Sequence, residues 1–171
     1  MAADNDISRM QIFRAKDAPP LAEAECMTMA PCTPVQEEGM MRLAEAGMLE
    51  GQELRVLVQL PGFSITHVWF KHGFPLPLHS HDADCLYYIV AGSLRLGTEE
   101  LGPRDSFLIP ADVPYTYKPG PDGVELLEIR HATSFNFVNL VKGAGWWERA
   151  AEMVETHREG WKTAKLPVLN G

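Results

Sequence analysis

Two histidines one residue apart, His79 and His81, end the segment Gly73-Phe74-Pro75-Leu76-Pro77-Leu78-His79-Ser80-His81. On extended backbone, side chains at i and i+2 point the same way, so both imidazoles can reach one metal ion. Cys85 follows and opens Cys85-Leu86-Tyr87-Tyr88-Ile89-Val90, an apolar and aromatic run closed by Ala91-Gly92-Ser93. That pattern reads as a buried strand ending in a turn, with Cys85, Tyr87 and Ile89 facing inward and Tyr88 outward. An imidazole pair with a thiol nearby suits zinc, copper or ferrous iron; without a metal, the same pair is two polar residues at a barrel mouth.

The elements that must position these groups follow from periodicity. Residues 1 to about 32 mix charge, Pro19-Pro20 and small residues, which predicts an arm that is flexible alone or lies across another surface. Thr33-Pro34-Val35-Gln36 is a capping box with Pro at the first helical position, and Met40, Met41, Leu43, Ala44 and Met48 form an apolar stripe, so a helix is expected over about 34–46. From Glu53 onward the chain is short runs rich in Val, Ile, Leu, Tyr and Phe: 54–60, 64–71, 85–90, 94–97, 106–109, 115–118 and 124–131. Turn chemistry separates them, as in Pro61-Gly62, Gly92-Ser93 and Pro119-Gly120-Pro121-Asp122-Gly123, the rhythm of an antiparallel sandwich or barrel. Beyond Asn139 the period is helical again, and Trp146, Trp147, Ala150, Val154 and Trp161 predict a helix over about 145–161 whose tryptophans are packing anchors. The chain thus divides into an arm and short helix (1–50), an all-β barrel (51–137) and a C-terminal helix and tail (138–171).

Composition bounds the partners. At 171 residues, 46% hydrophobic and 22% charged, the chain suits one domain with appendages. Fifteen Lys and Arg against 23 Asp and Glu give a net charge of −8 without a basic cluster, which argues against a nucleic-acid partner. No window approaches a membrane span and Met1–Asp6 is acidic rather than leader-like, so a cytoplasmic protein is expected. Cys26, Cys32 and Cys85 form no CxxC pair and are an odd number, which argues against a disulfide framework. Apolar residues on both faces of the 85–90 run predict a homodimer, because a lone barrel would expose the outer set.

Residues 73–92 resemble the first signature of the cupin superfamily, which runs Gly, five residues, His-x-His, three or four residues, Glu, six residues, Gly. Gly73, His79, His81 and Gly92 match, and Cys85 stands in the glutamate slot. Gly102 to Tyr115 resembles the second signature, with Asp112 in place of its glycine and Tyr115 in place of its histidine. The resemblance spans roughly Glu53 to Thr133. It implies an all-β double-stranded β-helix, or jelly-roll barrel, with a divalent transition metal held inside. Carried onto this chain, the ligand set is His79, His81, Cys85 and Tyr115. Sulfur in place of a carboxylate favours zinc or iron, with nickel or manganese as further candidates.

The superfamily does not fix the chemistry, since it includes oxygenases, isomerases and lyases as well as storage and sensory proteins. Two readings therefore stand: a metal-dependent enzyme acting on a small organic substrate, or a module that binds a small molecule without turnover. For the enzyme, Tyr115 and Cys85 are the candidates for proton movement, while Tyr87, Tyr117 and His131 are candidate substrate contacts around a small polar acid, ketone or aromatic ring. Cys85 is a ligand, a reactive thiol or an apolar filler. In the thiol dioxygenase branch a cysteine stands near this slot beside a tyrosine, but that activity would require His131 or His67 to supply the third imidazole. The 125–131 strand faces inward either with Glu128 and Arg130 or with His131.

Overall fold

The computed structural model describes residues 7–169; the acidic Met1–Asp6 segment, expected to carry no leader, lies outside them. Among the described residues nine strands form, β1 (Met27–Met29), β2 (Gln52–Leu60), β3 (Phe63–Phe70), β4 (His79–Ser80), β5 (Cys85–Leu96), β6 (Glu99–Leu101), β7 (Ser106–Ile109), β8 (Lys118–Arg130) and β9 (Phe135–Asn139), with helices α1 (Pro34–Ala46) and α2 (Ala144–Trp161). The larger sheet is ordered β2-β3-β8-β5-β6 with β7 also paired to β5, and the smaller is β1-β9-β4. Together they make the expected jelly roll. Among the described residues no helix is long and apolar enough to cross a membrane.

Two expected turns are strand interior. β5 runs through Gly92-Ser93 as a bulge, with Gly92 at φ 72° where any side chain would collide with the Gly123 carbonyl. β8 runs through Pro119–Gly123. Its pairing with β3 covers only Val124 to Arg130, so the preceding stretch has β5 on one side alone, and a proline there breaks no ladder bond to β3. Tyr115, by contrast, begins no strand. It bridges His79 alone, each backbone N–H donating to the other's carbonyl at 2.9 and 3.1 Å.

The small sheet is the part that periodicity misses. β4 has two residues and β1 three, too short to show alternation, and β9 carries asparagines at 136 and 139 that dilute its apolar pattern. Those asparagines are used locally: Asn136 Oδ1 accepts from the Asp82 N–H (2.9 Å), and Asn139 Oδ1 from the Val141 N–H (2.9 Å). β1 lies parallel to β9, and Pro20 bridges Arg55, so the N-terminal arm is laid across the barrel.

α1 starts where expected. Thr33 Oγ1 accepts from the Gln36 N–H, Gln36 Oε1 accepts from the Thr33 N–H, and Pro34 sits at the first turn. Gln36 is buried and its amide donates to the carbonyls of Asn139 (2.9 Å) and Val141 (3.0 Å), tying the helix to the end of β9. On α2, Trp147 and Trp161 are buried as anchors, and Trp161 Nε1 donates to the His72 carbonyl at 2.8 Å. The two helices meet at Gly39, where an added Cβ would fall inside the Trp147 indole. Gly39→Ala should gain up to about 1 kcal/mol in helix propensity and lose about 1–3 kcal/mol to overpacking, so the clash wins. A lowered denaturation midpoint in urea is the expected result; a midpoint at or above wild type would contradict this packing.

Candidate functional site

Both imidazoles of the pair are buried and aimed by the backbone. His79 Nδ1 lies 2.7 Å from the Pro77 carbonyl and His81 Nδ1 lies 2.5 Å from the Asn136 carbonyl. A carbonyl oxygen only accepts, so each Nδ1 carries the proton and each Nε2 is a bare lone pair. The rings sit 5.0 Å apart between centroids, and the His79 ring stacks on Phe137 at 4.7 Å. Burial pushes the pKa of His79 down to about 4, with the neighbouring His81 adding to the shift against the opposing Pro77 hydrogen bond. Burial does the same to His81, also to about 4, helped by the Arg130 charge. Both rings are neutral at pH 7.

Tyr115 joins them: its ring is 4.3 Å from that of His79, and its hydroxyl hydrogen-bonds the Tyr87 hydroxyl. Burial first, and then the Glu128 charge, hold the phenols of Tyr87, Tyr115 and Tyr117 well above their ordinary range, so all three stay protonated. Tyr115 and Tyr117 line the cavity with the histidines, while Tyr87 stands behind Tyr115, stacked on Phe107 at 4.5 Å. Cys85 is brought near but not into the cavity wall. Its thiol is buried, and burial followed by the Glu128 charge pushes its pKa up to about 12, so it is no thiolate at neutral pH.

Strand register explains the rest of the interior. Ser64, Arg130 and Cys85 form one row across β3, β8 and β5, and Thr66, Glu128 and Tyr87 form the next. β8 therefore turns Glu128 and Arg130 inward, and His131 is exposed. This corrects the expectation that His131 contacts substrate, because alternation sends it outside. His67 is no third imidazole either: it lies on the opposite face of β3 from the Ser64 and Thr66 row, with Nε2 2.8 Å from Glu125 Oε1. Glu128 lines the cavity, and its Oε2 lies 2.8 Å from Arg130 Nη2. Arg130 is wholly buried with its guanidinium 3.7 Å from the Phe135 ring centroid. Glu128 is the one acidic partner of Nη2, while Nε and Nη1 find no acceptor among the described residues and Thr66 Oγ1 has no partner there. Burial alone disfavours the Arg130 charge, but Glu128 outweighs it and the guanidinium stays protonated.

These groups form the polar end of a cavity of about 350 Å³. Its other walls are apolar: Met27 and Met29 of β1, Met40 and Leu43 of α1, Met48, Leu54, Phe70, Phe74, Phe135, Phe137 and Trp147. The arm and α1 thus roof the chamber, a role their sequence did not disclose. A larger groove of about 720 Å³ runs beside the C-terminal tail near His72 and His157, remote from the histidine pair.

The donor set fits a metal in part. Two bare Nε2 atoms fixed by backbone acceptors are the arrangement that metal-bound imidazoles use. Among the described residues no third His, Cys, Asp or Glu completes a group able to hold an ion, and the Tyr115 ring is the phenol packed against the pair. In the metal-free chain the buried histidines also set a pH dependence. Unfolded, they protonate near their ordinary 6.5, whereas folded they resist to about pH 4. The unfolded state binds more protons between those values, so stability falls as pH drops through this window, by up to about 1.4 kcal/mol per pH unit for each ring. Urea unfolding between about pH 7.5 and 4 should show this loss, with a shallower slope for His79→Gln; equal slopes would contradict the burial of a bare imidazole.

No protein-family model and no curated protein sequence matches the chain. Solved structures do. The polyketide cyclase RemF from Streptomyces resistomycificus is similar over 86% of this chain and 97% of its own, at 18% identity and a TM-score of 0.57. KdgF from Halomonas sp. is similar over 47% of this chain and 77% of its own (21% identity, TM-score 0.43), and an RmlC-like cupin from Shewanella frigidimarina over 47% and 76% (22% identity, TM-score 0.44). The likeness to RemF shows a shared fold, the jelly roll, and in this chain the histidine pair is turned into its interior.

Proposed function

We propose that this chain is a cupin-type enzyme acting on a small, largely apolar organic molecule held in the 350 Å³ chamber, with the reacting group at the His79, His81 and Tyr115 end. The observation that carries this reading is the pair of buried imidazoles that spend Nδ1 on backbone carbonyls and together line one cavity. His79 and His81, with Tyr115 beside them, would hold one divalent transition metal, zinc or iron before nickel or manganese, whose chemistry when bound is Lewis acidity toward a substrate oxygen. The chain's own residues do the remainder. Tyr115, protonated and linked to Tyr87, is a donor for a developing oxyanion or a leaving group. Phe135, Phe137 and the methionine roof exclude water and select an apolar body. Oxygenase, isomerase and lyase chemistry are all compatible with that set. A thiolate mechanism is disfavoured by the position and protonation of Cys85.

Among the described residues no third His, Cys, Asp or Glu joins the pair, which favours a second reading, a module that binds its ligand without turnover. Loading the full chain with zinc, ferrous iron, nickel or manganese and assaying small apolar ketones, acids and phenols separates the two. Turnover that requires one of these metals supports the enzyme, and tight binding without product in every state supports the module. Metal uptake near one equivalent per chain, reduced at least tenfold in affinity by His79→Ala, is expected, on the order of a lost first ligand. Uptake unchanged by that substitution would place the metal elsewhere.

We also propose a homodimer in the cytoplasm, where three free thiols remain reduced. One outer row is apolar across five strands: Val58, Ile65, Ile129, Leu86 and Leu108. Leu86 and Leu108 stand 42% and 59% exposed. A second copy across a two-fold axis would cover them. Light scattering at micromolar concentration should give twice the chain mass, and Leu108→Glu should return the monomer; a wild-type monomer would refute the dimer.

A further inference from the structure

Two apolar surfaces of the chain stay open to solvent. One is the outer row of Val58, Ile65, Ile129, Leu86 and Leu108, which is half-buried at its first three members and exposed at Leu86 and Leu108. The other opens the described chain, where Ile7, Met10, Ile12 and Phe13 are 67%, 92%, 70% and 45% exposed. Single exposed apolar residues are ordinary, but four large ones within seven positions form a sticky segment.

The arm brings the second surface to the edge of the first. The Val56 N–H donates to the Pro19 carbonyl and the Leu21 N–H to the Leu54 carbonyl, both at 2.9 Å, and Pro20 bridges Arg55 in the antiparallel sense. β2 is the edge of the larger sheet, so an arm antiparallel to it leaves, going back toward residue 7, in the direction of Val58, where the row begins. The lengths agree. Residues 7–14 reach about 23 Å when extended, and five strands spaced about 4.8 Å apart span about 19 Å. Within one chain, however, the arm and the row are both exposed, so the arm does not lie on its own row.

Charge points to the kind of surface the segment fits. Residues 7–16 carry Arg9, Arg14 and Lys16 and no acid, whereas the whole chain is −8, which leaves −11 on the remainder. Asp84, exposed just before β5, stands at the Leu86 end of the row. A basic, apolar segment is thus complementary to the acidic body of a second copy of the chain.

We propose that the two chains of the dimer exchange arms, residues 7–14 of each crossing the outer row of the other and seating their apolar side chains on Ile65, Ile129, Leu86 and Leu108. Each contact then occurs twice across the two-fold axis. This rests on the homodimer reading, and on neither a metal nor a ligand in the chamber.

Sedimentation equilibrium on three full-length chains tests it: wild type, an arm variant with Met10→Glu, Ile12→Glu and Phe13→Glu, and the row variant Leu108→Glu. All of these positions are exposed in the single chain, so the fold and the thermal midpoint of the monomer should be kept. Each variant alone should dimerise at least about a hundredfold more weakly than wild type, the order expected when apolar anchors are replaced by charge. Mixed together, the two variants should form a heterodimer at least about tenfold tighter than either homodimer, because the intact arm of the row variant meets the intact row of the arm variant. An arm variant that dimerises like wild type, or a mixture without heterodimer, overturns the exchange and leaves the dimer standing. A monomeric wild type overturns both, and if its arm binds vesicles of anionic phospholipid, those residues belong to a membrane surface instead.

Discussion

Two backbone carbonyls decide what this barrel can do. Pro77 and Asn136 each take the Nδ1 proton of a buried histidine, and every chemical property of the chamber follows from the lone pairs this leaves on two rings that line it. The scaffold exists in part to hold those carbonyls still. His79 is locked by its bridge to Tyr115 and its pairing with Asn139, and His81 by β9, whose Asn136 is itself fixed by two hydrogen bonds with Asp82. A two-residue strand has little stability of its own, so β4 depends on β9 and on the Tyr115 bridge for its geometry.

Against that fixed pair the chamber sets a contrast of environments. A neutral imidazole, a protonated phenol and a compensated carboxylate are all forms that survive in an apolar interior without a large desolvation penalty. The one group that strains this logic is Arg130, a wholly buried cation whose Nε and Nη1 find no acceptor among the described residues. Phe135 over its face and Glu128 at its side compensate in part through cation–π and ionic attraction. Such a group is tolerated where its charge is needed, and here that need is the carboxylate in the cavity wall.

The barrel, its two helices and the histidine pair were legible in sequence because each rests on a local signal: the capping box of Thr33 and Gln36, the alternation of Cys85, Tyr87 and Ile89, and two spaced signatures. The inward placement of Glu128 and Arg130 was one of two registers that alternation allowed, and only the pairing of β8 with β3 and β5 decided it against His131. The chamber's roof was not legible. Met27, Met29, Met40 and Met48 come from an arm, a helix and a turn, and nothing local says that they converge over one cavity. The apolar run of Phe135 and Phe137 was hidden by the intervening asparagine, whose carbonyl turns out to aim His81.

The tautomer of the two rings tests this account most directly. Long-range proton–nitrogen correlation spectra of the metal-free protein at neutral pH distinguish protonated from bare imidazole nitrogens. Both His79 and His81 should appear neutral, with the proton on Nδ1 and an unprotonated Nε2. A proton on Nε2 of either ring, or a cationic imidazolium, would mean that the backbone does not present the lone pairs on which the site depends.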